Sequence, residues 1–233
     1  MARSPVTFLD KEWGGCPKKR HARSVTVIEK YRENFRDSLP KEKQYWTLCG
    51  RSGSFSKASG GVLPHLIKSC ELDQILEAGL IESSQFFGVE REASIHKSNK
   101  LVSGASWVHG DFLSGLRGAA YQGEFNPGVI NYDSVQRPTT NPTYLASILK
   151  LVVDAGIRNV LVVANTILRS RKLCKLEPED ILKSLISEPS MEYAWNKAQW
   201  EKAPWRLDNW CYEYDGTGED STTLMGTVVF VRK

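Results

Sequence analysis

Four short apolar runs, each ending in acidic or small polar residues, constrain the fold of this chain more than any other feature. The runs cover residues 45–50, 85–90, 106–111 and 128–133. Each run is typical of a buried strand that passes into a loop, and helix-like stretches separate successive runs. Alternating strands and helices predict an α/β fold with a mostly parallel sheet and helices on both faces. Such sheets bind ligands at the carboxyl ends of their strands.

Two further patterns complete the predicted sheet. The apolar run 160–164 barely alternates, which indicates a fifth strand that is buried on both faces. A helix precedes it, because Asn141 and Pro142 are good residues for a helix start. Residues 209–214 and 224–231 flank a turn-rich stretch, so the sheet is predicted to end in an antiparallel hairpin.

The first quarter of the chain is basic. Residues 1–57 hold 13 Lys and Arg against 6 Asp and Glu, whereas the net charge of the whole chain is only +4. The first residues have no core pattern, and a helix is predicted from Ser24 to Pro40. We therefore predict a basic, flexible arm over residues 1–24 and a single α/β domain over residues 25–233. The arm is either a solvated tail or a contact for an anionic partner, DNA or RNA.

The composition limits the compartment and the kinds of site. No stretch approaches the roughly 18 apolar residues of a membrane span, and residues 1–10 lack the apolar segment of a secretory signal. The 5 cysteines are scattered and form no CxxC pair, so no metal site is predicted. These features favour a reduced, cytoplasmic protein that has no membrane partner.

Acids and glycines stand at successive ends of the predicted strands. Glycines follow the first run, Glu90 ends the second, Asp111 follows Gly110 at the third, and Asp133 ends the fourth. Because parallel strands place their carboxyl ends at one edge of a sheet, this order predicts a ligand site there. A second interpretation is that Glu90 and Asp111 cap the helices that follow them and that Asp133 forms an Asx-turn.

The order of elements, together with these strand-end motifs, resembles the class I S-adenosylmethionine-dependent methyltransferases over roughly residues 44–232. The resemblance implies a Rossmann-like fold with S-adenosylmethionine as cofactor. It implies a glycine loop beside the methionine part of the cofactor, an acid on the ribose hydroxyls and an acid beside the adenine. The cofactor residues implied in this way are Cys49, Gly50, Gly53, Glu90, Arg91, Gly110, Asp111 and Phe112. These roles are chemically reasonable, because a carboxylate can accept both protons of a vicinal diol and glycine lets a ligand approach the main chain.

The same resemblance places the methyl acceptor at the loop after the fourth strand. It implies Asp133 as the catalytic residue, while the substrate-binding residues are predicted as Asn131, Arg137, Arg169, Arg171 and Lys172. The basic arm and the cations at 169–172 favour nucleic acid as the acceptor.

Three departures from the family pattern keep a second function open. The glycine loop lacks a dense GxGxG run, Asp133 is not followed by a Pro-Pro-aromatic sequence, and the strand-four loop contains no cysteine. A non-catalytic binding or regulatory protein on a methyltransferase-like fold is therefore the alternative. An NAD-linked oxidoreductase ranks last, since GxGxxG is absent after the first strand.

Overall fold

The structure is a computed structural model. It describes residues 21, 23–48, 55–56, 61–62, 70–101, 104–133, 142–168, 205–215 and 222–233.

Seven strands form one sheet. They are β1 (Gln44–Leu48), β2 (Phe86–Glu90), β3 (Ser106–His109), β4 (Pro127–Asp133), β5 (Val160–Leu168), β6 (Trp205–Asp215) and β7 (Thr222–Arg232). Their spatial order is β3-β2-β1-β4-β5-β7-β6. The first five strands are parallel, and β7 pairs antiparallel with both β5 and β6. The predicted α/β class, the fifth strand and the terminal hairpin are thereby confirmed.

Helices cover both faces of the sheet. An N-terminal helix is π-helical over Ser24–Glu29 and continues as α1 (Lys30–Asn34). The others are α2 (Cys70–Glu77), α3 (Ala93–Asn99), α4 (Phe112–Tyr121) and α5 (Pro142–Asp154), with a 3₁₀ turn at Ser83–Gln85. Two two-residue strands, Phe55–Ser56 and Gly61–Val62, pair with each other outside the main sheet.

Alternation along the strands divides the core into two layers. Trp46 and Ile130 face α4 and α5, whereas Tyr45 and Val129 face the N-terminal helix and α2. All four side chains are almost completely buried, with exposed fractions of 0–1%. Strand β1 therefore lies at the centre of the fold, where an apolar strand needs cover on both faces.

The N-terminal helix ends earlier than its apolar pattern predicts. It was expected to continue to Pro40, but α1 ends at Asn34. The amide of Leu39 donates a 2.7 Å hydrogen bond to the carbonyl of Leu80 instead of to the preceding helical turn. The segment up to Leu39 thus leaves the helix, and the Leu39 side chain is buried in the core layer that contains α2.

The fold also includes Arg23, which was predicted to lie in the arm. Arg23 is helical and only 8% exposed, so the folded part of the chain includes it. The remaining arm cations, Lys18, Lys19 and Arg20, lie outside the described residues. Within the described ranges, no helix is both long enough and apolar enough to cross a membrane.

Candidate functional site

The carboxyl edge of the sheet contains a topological switch point. The chain passes from β1 through β2 to β3 on one side, then returns to place β4 on the other side of β1. Crevices of this kind are the usual ligand sites of open α/β sheets. Glu90, Asp111 and the backbone of Asp133 all lie at this edge, because they end or directly follow β2, β3 and β4.

Glu90 is half-buried at the end of β2. Its Oε1 accepts a 2.8 Å hydrogen bond from the amide of Glu92, which closes a tight turn after the strand. Burial raises the pKa of the Glu90 carboxyl above its ordinary value, although the amides of residues 92 and 91 pull it down. Hydrogen bonds from a ligand would stabilise a carboxylate that is partly dehydrated at a strand end. Arg91 beside it is exposed.

Gly110 forms the turn between β3 and α4. Its φ of 144° belongs to the region that side chains disfavour, and a Cβ there would meet no atom within 4 Å. The backbone conformation, rather than crowding, therefore requires glycine. The Gly110 amide donates a 3.0 Å hydrogen bond to the carbonyl of Glu90, so this turn is attached directly to the end of β2.

Asp111 caps α4. Its Oδ1 accepts hydrogen bonds from the Ser114 amide at 3.0 Å and the Ser114 hydroxyl at 3.2 Å. Its Oδ2 accepts a 2.8 Å hydrogen bond from the hydroxyl of Tyr144 in α5. Burial raises the pKa of Asp111, but the hydrogen bonds from Tyr144 and Ser114 outweigh burial and lower it overall. The capping interpretation of Asp111 is thus correct, and both oxygens already have protein donors.

An aromatic stack lies next to this cap. The rings of Phe112 and Tyr132 are 5.7 Å apart, and those of Tyr132 and Tyr144 are 5.2 Å apart. Phe112 is 1% exposed and belongs to the core between α4 and the sheet. Phe112 is therefore a core residue, while its neighbours Gly110 and Asp111 form the turn at the carboxyl edge.

A buried polar cluster lies on the opposite face of the sheet, beneath β1 and β4. Glu71, in the first turn of α2, accepts hydrogen bonds at Oε1 from the Tyr45 hydroxyl at 2.7 Å and from Asn131 Nδ2 at 2.8 Å. Its Oε2 lies 3.6 Å from Nη2 of Arg23, whose Nη1 donates to Gln74 at 2.8 Å. Burial, followed by the Glu71 charge, raises the pKa of Tyr45 well above its ordinary value.

This cluster determines the position of the predicted substrate residue Asn131. Its side chain is 2% exposed and is directed into the cluster with Glu71. Thr47, the β1 neighbour of Asn131 in register, is also fully buried, and its Oγ1 has no hydrogen-bond partner in the described part of the chain. Asn131 thus connects β4 to the start of α2 instead of lying at the surface.

A cavity of about 380 Å³ runs along β3 and α4, from Ser106 at the start of β3 to the Asp111 turn. Trp46, Phe87 and Val108 form its apolar walls, while His109, Asp111 and Ser114 line its end at the carboxyl edge. The rings of Trp46 and Phe87 are stacked 4.7 Å apart. This volume is within the range of small-molecule sites, and aromatic walls suit a flat ligand group.

Several predicted residues cannot be placed against this geometry. Cys49, Gly50, Gly53, Arg137, Arg169, Arg171 and Lys172 lie outside the described residues. The backbone of Asp133 is described as the last residue of β4, paired in register with Asn165 of β5. Within the described ranges, no group of three or more His, Cys, Asp or Glu is arranged to hold a metal ion.

The structure adds two residues that sequence reasoning missed, Glu71 and Tyr144. Glu71 is an acid in the first turn of a helix, a position that usually indicates only a favourable interaction with the helix dipole. Tyr144 follows the helix start at Pro142, so its position near the carboxyl edge could be predicted from the sequence. Its hydrogen bond to Asp111 could not. In both cases the partner lies far away in sequence, and only packing brings the two together.

Comparisons with known proteins agree with this architecture. No protein-family profile matches the sequence, and no curated protein matches it. The fold is similar to that of a SAM-dependent methyltransferase from Anabaena variabilis ATCC 29413, with a TM-score of 0.50, 9% identity, and coverage of 96% of this chain and 88% of that one. It is also similar to protein LPL1258 from Legionella pneumophila, with a TM-score of 0.50, 11% identity, and coverage of 94% and 86%. The chain thus has the Rossmann-like fold found in SAM-dependent methyltransferases.

Proposed function

We propose that this protein is a methyltransferase that uses S-adenosylmethionine. The observation that carries the proposal is Glu90, a half-buried carboxylate with a raised pKa at the end of β2, beside the central strand β1. The similarity of the fold to that of a SAM-dependent methyltransferase supports the same assignment. The raised pKa means that dehydration of this carboxylate is not fully offset by the protein, so a ligand donor would be favourable there.

The described residues fit such a cofactor. Glu90 is the acceptor for the ribose hydroxyls, because a carboxylate can take hydrogen bonds from two adjacent hydroxyl groups. The end of the cavity beside Asp111 is the part that we assign to the adenine ring, and Asp111 holds the turn there through its own bonds to Ser114 and Tyr144. Cys49, Gly50 and Gly53 remain the predicted contacts for the methionine part.

Methyl transfer requires little covalent chemistry from the protein's own residues. When bound, S-adenosylmethionine supplies a methyl group carried on a sulfonium. The chain's residues have to hold the acceptor in line with that methyl group, exclude water and accept a proton where the acceptor loses one. Asp133, at the end of β4 next to the switch point, is the residue we assign to orient the acceptor or accept its proton.

Calorimetric titration with S-adenosylhomocysteine tests the cofactor assignment. Glu90→Gln should weaken binding by about 1.5–3 kcal/mol, the value of a hydrogen bond to a charged group. Glu92→Gln is the matched control, because it removes a neighbouring exposed carboxylate with the same substitution. Equal affinities for the wild type and the folded Glu90→Gln variant would show that Glu90 does not bind the ribose.

We propose nucleic acid as the methyl acceptor. The support is the excess of Lys and Arg in residues 1–57, together with the predicted phosphate contacts Arg137, Arg169, Arg171 and Lys172. Since Arg23 is buried in the fold, the arm cations available to a polyanion are those before it. Each phosphate contact releases counterions, so affinity should fall with salt with a log–log slope of about −0.7 to −0.9 per contact.

Removal of residues 1–20 tests this acceptor. The truncated protein should bind S-adenosylhomocysteine as the full chain does, but the salt dependence of its binding to single-stranded RNA or DNA should be less steep. If the full chain binds neither polymer in a salt-dependent way, nucleic acid is not the acceptor. If it binds the cofactor but transfers no methyl group to DNA, RNA or protein, the non-catalytic binding function takes precedence.

A further inference from the structure

A buried arginine with two unpaired guanidinium nitrogens, within the described part of the chain, lies at the opposite edge of the sheet. Arg232 is the last residue of β7 and pairs in register with Val160, the first residue of β5. The whole residue is 8% exposed, yet Nε and Nη1 have no hydrogen-bond acceptor in the described part of the chain. A buried guanidinium normally has a carboxylate or carbonyl partner, because dehydration of the charge is otherwise uncompensated.

A second cation, Arg158, acts on Arg232. Burial lowers the pKa of Arg232, and the positive charge of Arg158 lowers it further. Arg158 is exposed and lies in the loop that enters β5. Two neighbouring cations at a partly dehydrated site repel one another, and an anion bound by both would remove the repulsion and satisfy the unmet hydrogen bonds.

The backbone around these two arginines is anchored by a third cation. Nζ of Lys43 donates hydrogen bonds to the carbonyls of Arg158 at 2.8 Å and Pro127 at 3.4 Å. Lys43 thus attaches the Arg158 loop to the starts of β1 and β4, so Arg158 projects from a fixed loop. Burial lowers the pKa of Lys43, and the carboxylate of Glu42 partly offsets this effect.

We propose that Arg232 and Arg158 form a binding site for an oxyanion of the phosphate type. A guanidinium is the side chain best suited to phosphate oxygens, because its planar donors are fixed and permanently charged. The exposed Arg158 gives the anion an entry from solvent, and Arg232 supplies the buried donors. The site lies at the amino edge of the parallel strands, whereas Glu90 and Asp111 lie at the carboxyl edge. It is therefore independent of the proposed cofactor site.

Thermal unfolding of the full chain with inorganic phosphate as the probe tests this site. A ligand that binds only the folded state raises Tm, here on the order of 3–6 °C at saturating phosphate, relative to chloride at equal ionic strength. Arg232→Met should lose this rise, and Arg158→Met should lose most of it. Arg117→Met, at an exposed position in α4, makes the same charge change elsewhere and should keep the rise. If Arg232→Met does not fold, Arg232→Lys replaces it and should lose most of the rise.

The variants separate specific binding from a general salt effect, since phosphate stabilises many proteins by exclusion from their surfaces. An equal rise in the wild type, Arg232→Met and Arg158→Met would overturn the proposal, as would no rise in the wild type. If a short oligonucleotide raises Tm at a lower concentration of phosphate groups than inorganic phosphate requires, the source of the anion is a polymer. A rise with inorganic phosphate alone identifies a free anion.

Discussion

The hydroxyl of Tyr144 donates a 2.8 Å hydrogen bond to Oδ2 of Asp111 and accepts a 2.6 Å hydrogen bond from the amide of Leu113. One phenol in α5 therefore completes the cap of α4, which otherwise depends on Asp111 and Ser114. The carboxyl edge of β3 is held from a second helix, and its position depends on how α4 and α5 pack together.

We expect Asp111 and Tyr144 to be energetically coupled. Asp111→Ala and Tyr144→Phe should each destabilise the protein, and the double variant should lose less than the sum by about 1–2 kcal/mol, because the same hydrogen bond is removed in all three. Urea unfolding of the four proteins measures this difference. Strictly additive losses would mean that the bond contributes nothing to stability.

Glu90 should make stability depend on pH in a direction opposite to that of most carboxylates. The folded protein holds the Glu90 proton more tightly than the unfolded chain, since burial raises the pKa above the ordinary 4.5. The stability that the protonated Glu90 contributes is therefore lost as the pH rises from the unfolded pKa through the higher pKa of the folded protein. Melting temperatures of the wild type and Glu90→Gln between pH 4 and 7 should diverge, with the variant gaining relative stability as the pH rises. Parallel curves would contradict the burial of this carboxylate.

Arg23 should behave as a core residue and not as part of a solvated arm. Its guanidinium is buried against Glu71 and Gln74, and removal of one member of a buried pair leaves the other charge uncompensated. Arg23→Met should therefore cost about 3–5 kcal/mol of unfolding free energy. Arg36→Met, at an exposed position, is the control and should have little effect. Combination of Arg23→Met with Glu71→Gln should recover part of the loss, and no recovery would show that Glu71 is held by Tyr45 and Asn131 alone.

Asp133 should affect turnover more than cofactor affinity, since it ends β4, whereas Glu90 ends β2 and Asp111 follows β3. Asp133→Ala should bind S-adenosylhomocysteine nearly as the wild type does, and methyl transfer to the acceptor should fall. Calorimetry and transfer of labelled methyl groups measure the two quantities separately. Equal losses in both would indicate the Asx-turn interpretation, and unchanged transfer would remove Asp133 from catalysis.

Gly118 should tolerate alanine with a gain in stability. It lies inside α4, and a Cβ there would meet no atom within 4 Å. Alanine in a helix interior is favoured over glycine by about 0.5–1 kcal/mol. Urea unfolding should show a gain of this size for Gly118→Ala, whereas Gly110→Ala should lose stability because of its positive φ. A loss at position 118 would mean that the helix needs its glycine for a contact.

The elements of the fold were largely predictable from sequence because their signals are local. The apolar runs, the helix start at Pro142 and the turn-rich sequence before the last strand each lie within a few residues of the element that they specify. The strand-end position of Glu90 is predictable for the same reason, since it needs only the end of one strand.

The partners within the site were not predictable, because they depend on packing between distant segments. Glu71 meets Tyr45 across 26 positions and Asn131 across 60, while Tyr144 meets Asp111 across 33. No local periodicity encodes these pairs; the strand order and the helix layers bring them together. The same tertiary arrangement places Arg23, predicted in the arm, in the core, and it gives Asp111 the hydrogen bond from Tyr144 in addition to its cap of α4. A side chain's type follows from the sequence, but its burial and its hydrogen-bond partners, which set its pKa and its role, follow from the packed fold.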